Sequence, residues 1–370
     1  MIVESKSPKK RFEFIDIAKG FAIIAVVLWH IGFAIDEIEL FPFKTMFAGG
    51  MWHVPVFFIL SGFFIKETSI LNTLAFIKGK IISVHLVTLC FYIPAVLLHN
   101  VFIHCGFYSL SVEYGGKYVT EYALIDFFKQ CLLAICFAGR EPIVGPLWFA
   151  YVLSLAFIGY ALLTCICRKI FGPDRYEKIR LVFCVLLAVV SAVLSNKLGL
   201  TINRFSNTLV VMLLLSIGQY VFQNAKVSFK SWYALGVALL FVWQSAVLNG
   251  NVNLNDNVYK DLFQLICGSI CSLYVICFIS IRISNTVVGK FIGFVGRKSF
   301  YIMALHFVSF KIFALLLNTF FMPCRIDFLT PNAKDNIFLL AGYMLFGVCV
   351  PLLVALIVSK VKKFVSVLVK

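Results

Sequence analysis

Three ionisable side chains recur along one apolar segment near the beginning of this chain. Asp16, Lys19 and His30 are set in a run of residues that is otherwise almost entirely apolar or small. On a helix with 3.6 residues per turn they share one stripe, with Lys19 and His30 about 16 Å apart along the axis. A charged group at the centre of a bilayer costs about 2.5–3.5 kcal/mol on insertion scales, so these residues indicate a functional site.

Composition places this segment in a polytopic membrane protein. Hydrophobic residues make up 61% of the 370 positions and charged residues only 14%, which excludes an ordinary soluble domain. The formal net charge of +16 would suit nucleic-acid binding. However, the basic residues stand at the ends of apolar segments, where they set membrane topology instead. We therefore expect the lipid bilayer as a partner and no nucleic acid.

Apolar runs of spanning length predict an all-α fold with ten transmembrane helices. The predicted spans are 15–35, 52–66, 81–98, 147–167, 181–199, 205–223, 231–249, 262–281, 299–318 and 337–359. The segment 123–139 is interrupted by Asp126 and Lys129, and its apolar part is too short to cross the bilayer. We predict that this segment forms an interfacial or re-entrant helix.

The distribution of charge orients these ten spans. Basic residues then gather on one side in every loop, whereas the opposite loops carry acids such as Asp36, Glu37, Glu39 and Asp256. The positive-inside rule places both termini in the cytoplasm. The expected organisation is a basic cytoplasmic N-terminus over 1–14, one membrane-embedded domain over 15–360 and a basic cytoplasmic tail over 361–370.

The twelve cysteines do not indicate a metal site, because they lack the paired spacing of zinc ligands. Most of them lie inside apolar runs, where a cysteine acts as a small buried hydrophobe. Cys105 and Cys324 both fall in predicted outer loops, so a disulfide between these two residues is left open.

Further polar residues lie at the ends of later spans. His53 is near the outer end of the second span, and Ser61 closes its apolar run, where small residues also permit close helix packing. Lys78 and Lys80 open the third span and are either topology markers or phosphate ligands. Trp148 follows a Gly-Pro turn, where anchoring at the membrane interface is the simpler role.

A last group of polar residues enters the ninth span from the inside. Ser299 and Tyr301 begin this span, and His306 would lie well within the bilayer. A neutral histidine that is hydrogen-bonded to a neighbouring helix is an equally good interpretation of His306. The same structural alternative applies to His85 and Lys311.

In order and spacing, these motifs resemble the acyltransferase family 3 membrane O-acyltransferases, particularly the branch similar to fucose 4-O-acetylase. The family's first-span pattern is Asp-hydrophobic-x-(Arg/Lys)-Gly followed by a hydrophobic run that ends in His. The residues that match the family's motifs are Asp16, Lys19, Gly20 and His30, the Phe-Phe-x-x-Ser-Gly-Phe run 57–63, Lys78 and Lys80, the Leu-Trp-Phe run 147–149, and Ser299, Tyr301 and His306. The resemblance covers about 15–310.

The resemblance implies transfer of an acyl group, usually acetyl from acetyl-CoA, to a hydroxyl of a saccharide or lipid-linked sugar. His30 is then the catalytic base or a transient acetyl carrier, with Lys19 and its neighbour Asp16 lower on the same stripe of the helix. Lys19 stands where many members have arginine, and it lacks the planar fork of a guanidinium. Acetyl-CoA is expected as a substrate, with no permanently bound cofactor and no metal.

The remaining matched residues receive expected roles in substrate binding. Lys78 and Lys80, together with Lys19, would hold the phosphates of the donor, although the family often has several arginines here. The residues expected to line the acceptor path or channel are His53, Ser61, Trp148, Ser299, Tyr301 and His306. The expected location is the bacterial cytoplasmic membrane.

A different class of function competes with this interpretation. Asp, Lys and His within a membrane also form proton relays, so a secondary transporter or flippase for a sugar or lipid-linked glycan is the alternative. The chain shows no internal repeat of the kind that many transporters carry, which favours the transferase. The sequence does not determine the acceptor sugar, the acyl chain or the oligomeric state.

Overall fold

Helices dominate the part of the chain that the structure describes. The computed structural model describes residues 12–33, 43–49, 52–111, 113–114, 118–202, 204–225, 227–250, 252–333 and 335–368. The helices are α1 (Glu13–His30), α2 (Phe43–Ala48), α3 (His53–Phe63), α4 (Glu67–Ile70), α5 (Thr73–Lys80), α6 (Leu86–Leu97), α7 (His99–His104), α8 (Leu124–Ile135), α9 (Trp148–Phe171), α10 (Tyr176–Asn196), α11 (Phe205–Gln219), α12 (Trp232–Asn249), α13 (Leu262–Ile283), α14 (Val287–Arg297), α15 (Ser299–Phe320) and α16 (Ile337–Leu368). No strand is present in these ranges, so the predicted all-α membrane fold is confirmed.

Eight helical stretches in the described ranges are long and apolar enough to cross a bilayer. They are Phe43–Phe63, Thr73–Leu97, Pro142–Phe171, Tyr176–Asn196, Phe205–Phe222, Leu262–Ile283, Ser299–Phe320 and Ile337–Lys362. The other two predicted spans correspond to α1 and α12. The helix α1 holds three charged residues, and the apolar part of α12, Trp232–Leu248, is shorter than 18 residues. The total of ten spans stays a prediction.

The surface of the spanning helices is apolar, as a lipid environment requires. Val182, Leu186 and Val190 of α10 are each about half exposed. Exposed aliphatic side chains along one face of a long helix would favour aggregation in water, but they are matched to acyl chains in a bilayer. The chain is therefore an integral membrane protein.

The helix α8 has only twelve residues, so at 1.5 Å per residue it is too short to cross a bilayer. It packs against α6, and His85 lies in the π-helical turn Ile81–His85 that precedes α6. The Nε2 atom of His85 donates a hydrogen bond of 3.0 Å to the carbonyl oxygen of Ile135. The His85 ring also stacks on Phe137, with 3.9 Å between ring centroids. His85 therefore stabilises the packing of the C-terminal end of α8 against the turn that precedes α6.

The helix α1 lies at the centre of the bundle, where it packs against α3, α13, α14, α15 and α16. Glycine allows α1 and α14 to approach with their backbones in contact. A Cβ atom added to Gly296 would lie 1.8 Å from the carbonyl oxygen of Asp16, and one added to Gly20 would lie 2.2 Å from that of Ile292. The glycine after Lys19 is thus required by packing.

A second pair of glycines sets the crossing of α3 and α11. An added Cβ at Gly62 would lie 2.1 Å from the Leu215 carbonyl oxygen, and one at Gly218 would lie 1.8 Å from that of Ile59. Small residues let helices in a membrane approach closely. The packing interpretation of the Ser-Gly pair in the second span therefore holds for Gly62.

A buried polar network joins α4, α10 and α11. The Arg180 guanidinium donates to both Glu67 carboxylate oxygens, at 2.9 and 3.1 Å. Gln219 donates to Glu67 at 2.7 Å and accepts from the Tyr160 hydroxyl at 2.7 Å. These hydrogen bonds stabilise the packing of helices that are distant in sequence, although the Nε atom of Arg180 has no partner among the described residues.

Some predicted features fall where the structure describes little or shows a different arrangement. The basic residues up to Arg11 and the acidic loop with Asp36, Glu37 and Glu39 lie outside the described residues. The predicted basic tail, 361–370, is described only to residue 368, and there it continues α16. Cys105 and Cys324 are both free thiols, so the structure does not contain the disulfide that the sequence left open.

Candidate active site

A cavity of about 870 Å³ opens at the face of the bundle where α1 ends, which we call the loop face. Its wall includes residues of α1, α3, α9 and α15 and of three loops, 118–122, 138–146 and 252–256. A cavity of this size accommodates a small organic substrate. His30, His53 and Trp148 all lie on its wall. The structure therefore brings together three of the residues predicted to bind substrate or to catalyse.

His30 and His306 form a hydrogen-bonded pair at the wall of this cavity. The His306 Nε2 atom lies 3.2 Å from the His30 Nδ1 atom. The His306 Nδ1 atom lies 2.7 Å from the Ile302 carbonyl oxygen, and the His30 Nδ1 atom lies 3.0 Å from that of Val26. A carbonyl oxygen only accepts, so each Nδ1 carries a proton and donates it. In the neutral His30 ring, Nε2 then has a free lone pair.

Aromatic side chains hold the two imidazoles in place. The Phe307 ring packs edge-on against His30, with 5.0 Å between centroids, and lies 4.8 Å from the His306 ring. Phe310 closes the other side of His306 at 5.6 Å. His306 is fully buried, whereas His30 is partly exposed and lines the cavity. Only His30 of this pair can therefore meet a ligand directly.

His53 begins α3 and lies between two tryptophans. Its ring centroid is 6.3 Å from Trp29 and 6.1 Å from Trp52. The His53 Nδ1 atom is buried without a hydrogen-bond partner among the described residues. An unpaired nitrogen in a cavity wall can bond to a ligand hydroxyl. Trp148 begins α9, directly after the 3₁₀ turn Pro142–Leu147, and contributes its indole to the same wall.

Lys19 and Asp16 lie in the other half of α1, away from the cavity. The Lys19 ammonium is 4.7 Å from the centroid of the Phe64 ring, a cation–π distance. Asp16 lies beside Gly293 of α14, as does the guanidinium of Arg297. The side chains of Lys19 and Asp16 are both half-buried. The loop-face cavity does not include Lys19, so in this structure the predicted stripe is divided into two separate regions.

The two lysines of the third span lie in α5, at the same end of the bundle as Lys19. The Lys80 ammonium is 4.0 Å from the centroid of the Phe157 ring and 5.2 Å from that of Phe76. Lys78 is exposed and projects from the helix. Neither lysine lines the loop-face cavity. Their contact with the donor phosphates stays a prediction.

Ser61, Ser299 and Tyr301 also lie away from the cavity wall. The Ser61 hydroxyl donates to the Phe57 carbonyl oxygen of its own helix at 2.7 Å. Ser299 begins α15, and the Tyr301 ring packs edge-on against Phe91 at 5.6 Å. The predicted substrate-binding role of these three residues is not tested by these positions.

The cavity wall also includes a carboxylate–histidine cluster that the sequence did not reveal. The His99 Nδ1 atom is 2.9 Å from Glu141 Oε2, and the Tyr108 hydroxyl donates to Glu141 Oε1 at 2.6 Å. The Tyr122 ring stacks on His99 with 3.6 Å between centroids. Burial and the Glu141 carboxylate raise the pKa of Tyr108 well above its usual value. Tyr108 therefore stays protonated and donates.

Sequence signals for this cluster exist but are weak. His99 is an ionisable residue just after an apolar run, and Glu141 stands alone before the Gly-Pro-Leu-Trp-Phe motif. Either residue would be an unremarkable member of a loop, because their pairing across 42 positions depends on the fold. Arg140 and Arg204, which also line the cavity, carry no motif at all.

Comparison with known families identifies the class of this protein. The family model described as an acyltransferase domain, Acyl_transf_3, matches residues 12–359, which is nearly the whole chain. No curated protein and no solved structure matches the chain significantly. The chain belongs to this acyltransferase family, and it is a membrane acyltransferase that acts on an acyl donor and an acceptor.

Proposed function

We propose that this membrane acyltransferase transfers an acetyl group from acetyl-CoA to a hydroxyl of a cell-envelope saccharide or lipid-linked sugar, with His30 as the catalytic base. The observation that carries the proposal is the placement of His30 on the cavity wall, with its Nδ1 proton donated to Val26 and His306. The motifs shared with the fucose 4-O-acetylase-like branch support a sugar acceptor. The basic loops favour a bacterial cytoplasmic membrane with the loop face outside.

The chemical step follows from the orientation of the His30 ring. The Nε2 lone pair takes the proton of the acceptor hydroxyl while that oxygen attacks the thioester carbonyl carbon. The carbon–sulfur bond then breaks, and the CoA thiolate leaves with the proton returned from His30 Nε2. The proton returns because a thiolate is basic near neutral pH, whereas imidazolium is acidic there. The Val26 carbonyl oxygen and His306 together hold the ring in the productive tautomer.

The acceptor side of the proposal uses the loop-face cavity. A hydroxyl that reaches His30 passes His53 and Trp148, which offer an unpaired nitrogen and an indole surface. Aromatic surfaces and a few polar groups suit a sugar ring, whose faces are partly apolar. The buried Tyr92 and the Tyr122 ring, which stacks on His99, add further aromatic residues to the cavity wall.

The donor side of the proposal requires movement of the helices. Lys19, Lys78 and Lys80 supply positive charge at the opposite end of the bundle, where CoA phosphates would bind. Since the cavity does not extend to Lys19, the thioester reaches His30 only if helices around α1 separate. A direct test of this route uses proteoliposomes with acetyl-CoA supplied on one side at a time. Transfer with acetyl-CoA confined to the loop face would contradict the route.

The central experiment replaces His30. Purified wild-type protein in detergent, given acetyl-CoA and a saccharide acceptor, should form an ester that mass spectrometry detects as an acetyl addition. His30→Ala should abolish ester formation while the protein stays folded and abundant. The matched control is His104→Ala, because His104 is exposed in the same half of the molecule and makes only a distant contact with Glu121, 3.8 Å. Retained turnover in His30→Ala would remove His30 from the mechanism.

The same assay separates the transferase from the alternative of a transporter. A transporter or flippase moves its substrate without making a new ester, so wild-type protein would consume no thioester. Thiol release that depends on the acceptor is the expected result for the transferase.

A further inference from the structure

Two arginine side chains converge on the loop-face cavity from different parts of the chain. Arg140 lies in the segment before the 3₁₀ turn Pro142–Leu147, and Arg204 immediately precedes α11. Both line the cavity wall. Burial lowers the pKa of Arg204, and the positive charge of Arg140 lowers it further, while Tyr92 and Tyr151 act in the opposite direction. Arginine nevertheless remains cationic in proteins, so two like charges face one cavity.

Neither guanidinium is neutralised by an ion pair within the described residues. Arg204 donates through Nη1 to the side-chain oxygen of Asn255 at 2.9 Å, and its Nε atom is buried without a partner. Arg140 is exposed to the cavity and makes no hydrogen bond or ion pair with the described residues. The guanidinium of Arg140 and the Nη2 group of Arg204 are therefore available to a ligand.

The carboxylates of the same wall are engaged elsewhere. Glu141 accepts from Tyr108 and pairs with His99. Asp256 accepts from the amides of Asn253 at 2.6 Å and Asn255 at 2.9 Å. Asp256 faces Arg204 but lies beyond ion-pair distance, and Lys129 adds a further positive charge to the wall. The wall therefore carries three cations against two hydrogen-bonded carboxylates.

The backbone also holds both arginines in place. Arg204 has φ = 59°, a left-handed value that a non-glycine residue keeps only where the surroundings impose it. Glu141 is extended, with φ = −64° and ψ = 118°. The neighbouring Glu141 is anchored by Tyr108 and His99, which fixes the backbone beside Arg140.

We propose that Arg140 and Arg204 form a subsite for an anionic group, a phosphate or a carboxylate, on the acceptor. Guanidinium groups bind either oxyanion through two parallel hydrogen bonds, which gives geometry as well as affinity. This inference rests on the proposed function in calling the ligand an acceptor, but binding at the subsite does not depend on acyl transfer. The acceptor class is then an acidic sugar or a phosphorylated, lipid-linked sugar, in preference to a neutral glycan.

The test measures thermal unfolding of the purified protein in detergent with three related sugars. Glucuronate and glucose 1-phosphate probe the two anions, and glucose is the neutral control. A ligand that binds only the folded state raises the unfolding midpoint. At least one of the anionic sugars should raise the unfolding midpoint, and glucose should not. Whether glucuronate or glucose 1-phosphate gives the larger rise shows whether the subsite prefers a carboxylate or a phosphate. Equal shifts with all three sugars, or a shift with none of the anionic sugars, would overturn the proposal.

Variants connect the shift to the two arginines. Arg140→Gln should weaken the apparent affinity for the anionic sugar by about tenfold or more, and Arg140→Lys should restore part of it. Arg140 is exposed and unpaired, so its replacement preserves the fold even if Arg204→Gln does not. The control is Arg325→Gln, since Arg325 is exposed and already paired with Asp327 at 2.7 Å. A shift that survives in Arg140→Gln would contradict the subsite.

Two further arms separate this proposal from the proposed function. His30→Ala should retain the shift with the anionic sugar, because binding does not require the catalytic base. A wild-type protein that shows the shift but makes no ester would refute the transferase and keep the subsite. Acetyl-CoA also carries phosphate groups, but its proposed site lies at the other end of the bundle. The rise in unfolding midpoint that acetyl-CoA causes should therefore be unchanged in Arg140→Gln. If that substitution removes only the acetyl-CoA shift, the arginines belong to the donor site and the proposal fails.

Discussion

The His306 Nε2 atom lies 3.2 Å from the His30 Nδ1 atom, so a hydrogen bond joins two helices whose residues are 276 positions apart. His30 ends α1, and His306 lies in the first half of α15. Because His306 is saturated on its other side by Ile302, it can only accept the proton that His30 offers. The late histidine is thus a second acceptor, beside the Val26 carbonyl oxygen, for the Nδ1 proton of the early one.

Removal of His306 should therefore slow transfer without weakening donor binding. His306→Ala removes one of the two acceptors that hold the His30 Nδ1 proton and leaves only the Val26 carbonyl oxygen, so the ring is less firmly oriented and we expect kcat to fall about tenfold to a hundredfold. The KM for acetyl-CoA should stay unchanged. His306→Gln offers an oxygen acceptor near the Nε2 position and should restore part of the rate. Full activity in His306→Ala would show that the hydrogen bond has no catalytic role.

The rate should fall reversibly when the pH is lowered. His30 accepts a proton only while Nε2 is free, and protonation of the ring blocks it. The low-pH limb of the rate profile should therefore follow one protonation. The pH at the midpoint of this limb should change in His306→Ala and should keep its wild-type value in His306→Gln. The unfolding midpoint, measured over the same pH range, checks that loss of rate is not loss of fold. A rate that is independent of pH would argue against an imidazole base.

Positive charge at the C-terminal end of α5 should matter for the donor. Substitution of Lys78 and Lys80 together by glutamine removes two ammonium groups, and we expect the KM for acetyl-CoA to rise about tenfold. The matched control is Lys290→Gln, because Lys290 is an exposed lysine of α14. An unchanged KM in the double variant would leave both lysines as topology markers. Lys19→Arg should keep activity if only the charge at that position is used.

The contact of α1 with α14 should not tolerate a larger residue. In Gly296→Ala the new methyl group would lie 1.8 Å from the Asp16 carbonyl oxygen, so the two helices must separate. Overpacking of this kind costs about 1–3 kcal/mol, and the unfolding midpoint should fall. Gly236→Ala in α12 is the control, since its added methyl group meets no atom within 4 Å. Equal midpoints for the two variants would contradict the close contact.

The pairing of Arg180 with Glu67 should stabilise the protein strongly. Glu67→Ala leaves a buried guanidinium without its carboxylate partner, and the expected loss is about 3 kcal/mol of unfolding free energy. The control is Glu177→Ala, because Glu177 contacts only the Tyr176 hydroxyl at 3.4 Å. Thermal unfolding in detergent measures both variants. If the unfolding midpoint of Glu67→Ala equals that of the control, the pairing does not stabilise the protein, because water replaces the carboxylate as the partner of Arg180.

The sequence by itself determined the class of the protein and pointed to a candidate for its catalytic residue. Hydrophobic runs of spanning length report directly on the bilayer, because every backbone polar group inside it must be paired within a helix. The run that ends at His30 marked the catalytic candidate for a similar reason, since an ionisable residue is costly there. The shortness of α8 was also readable, because Asp126 and Lys129 interrupt its apolar run.

Only the tertiary structure decided which of the polar residues meet. It joined His306 to His30 and placed His53 and Trp148 on the same cavity wall, whereas Lys19, Ser61 and Tyr301 lie elsewhere. It also brought Arg140 and Arg204 to that wall. These partners are distant in sequence, and their approach is set by helix crossings at residues such as Gly20 and Gly62. Local spacing carries no information about such crossings, because they depend on how side chains of different helices pack.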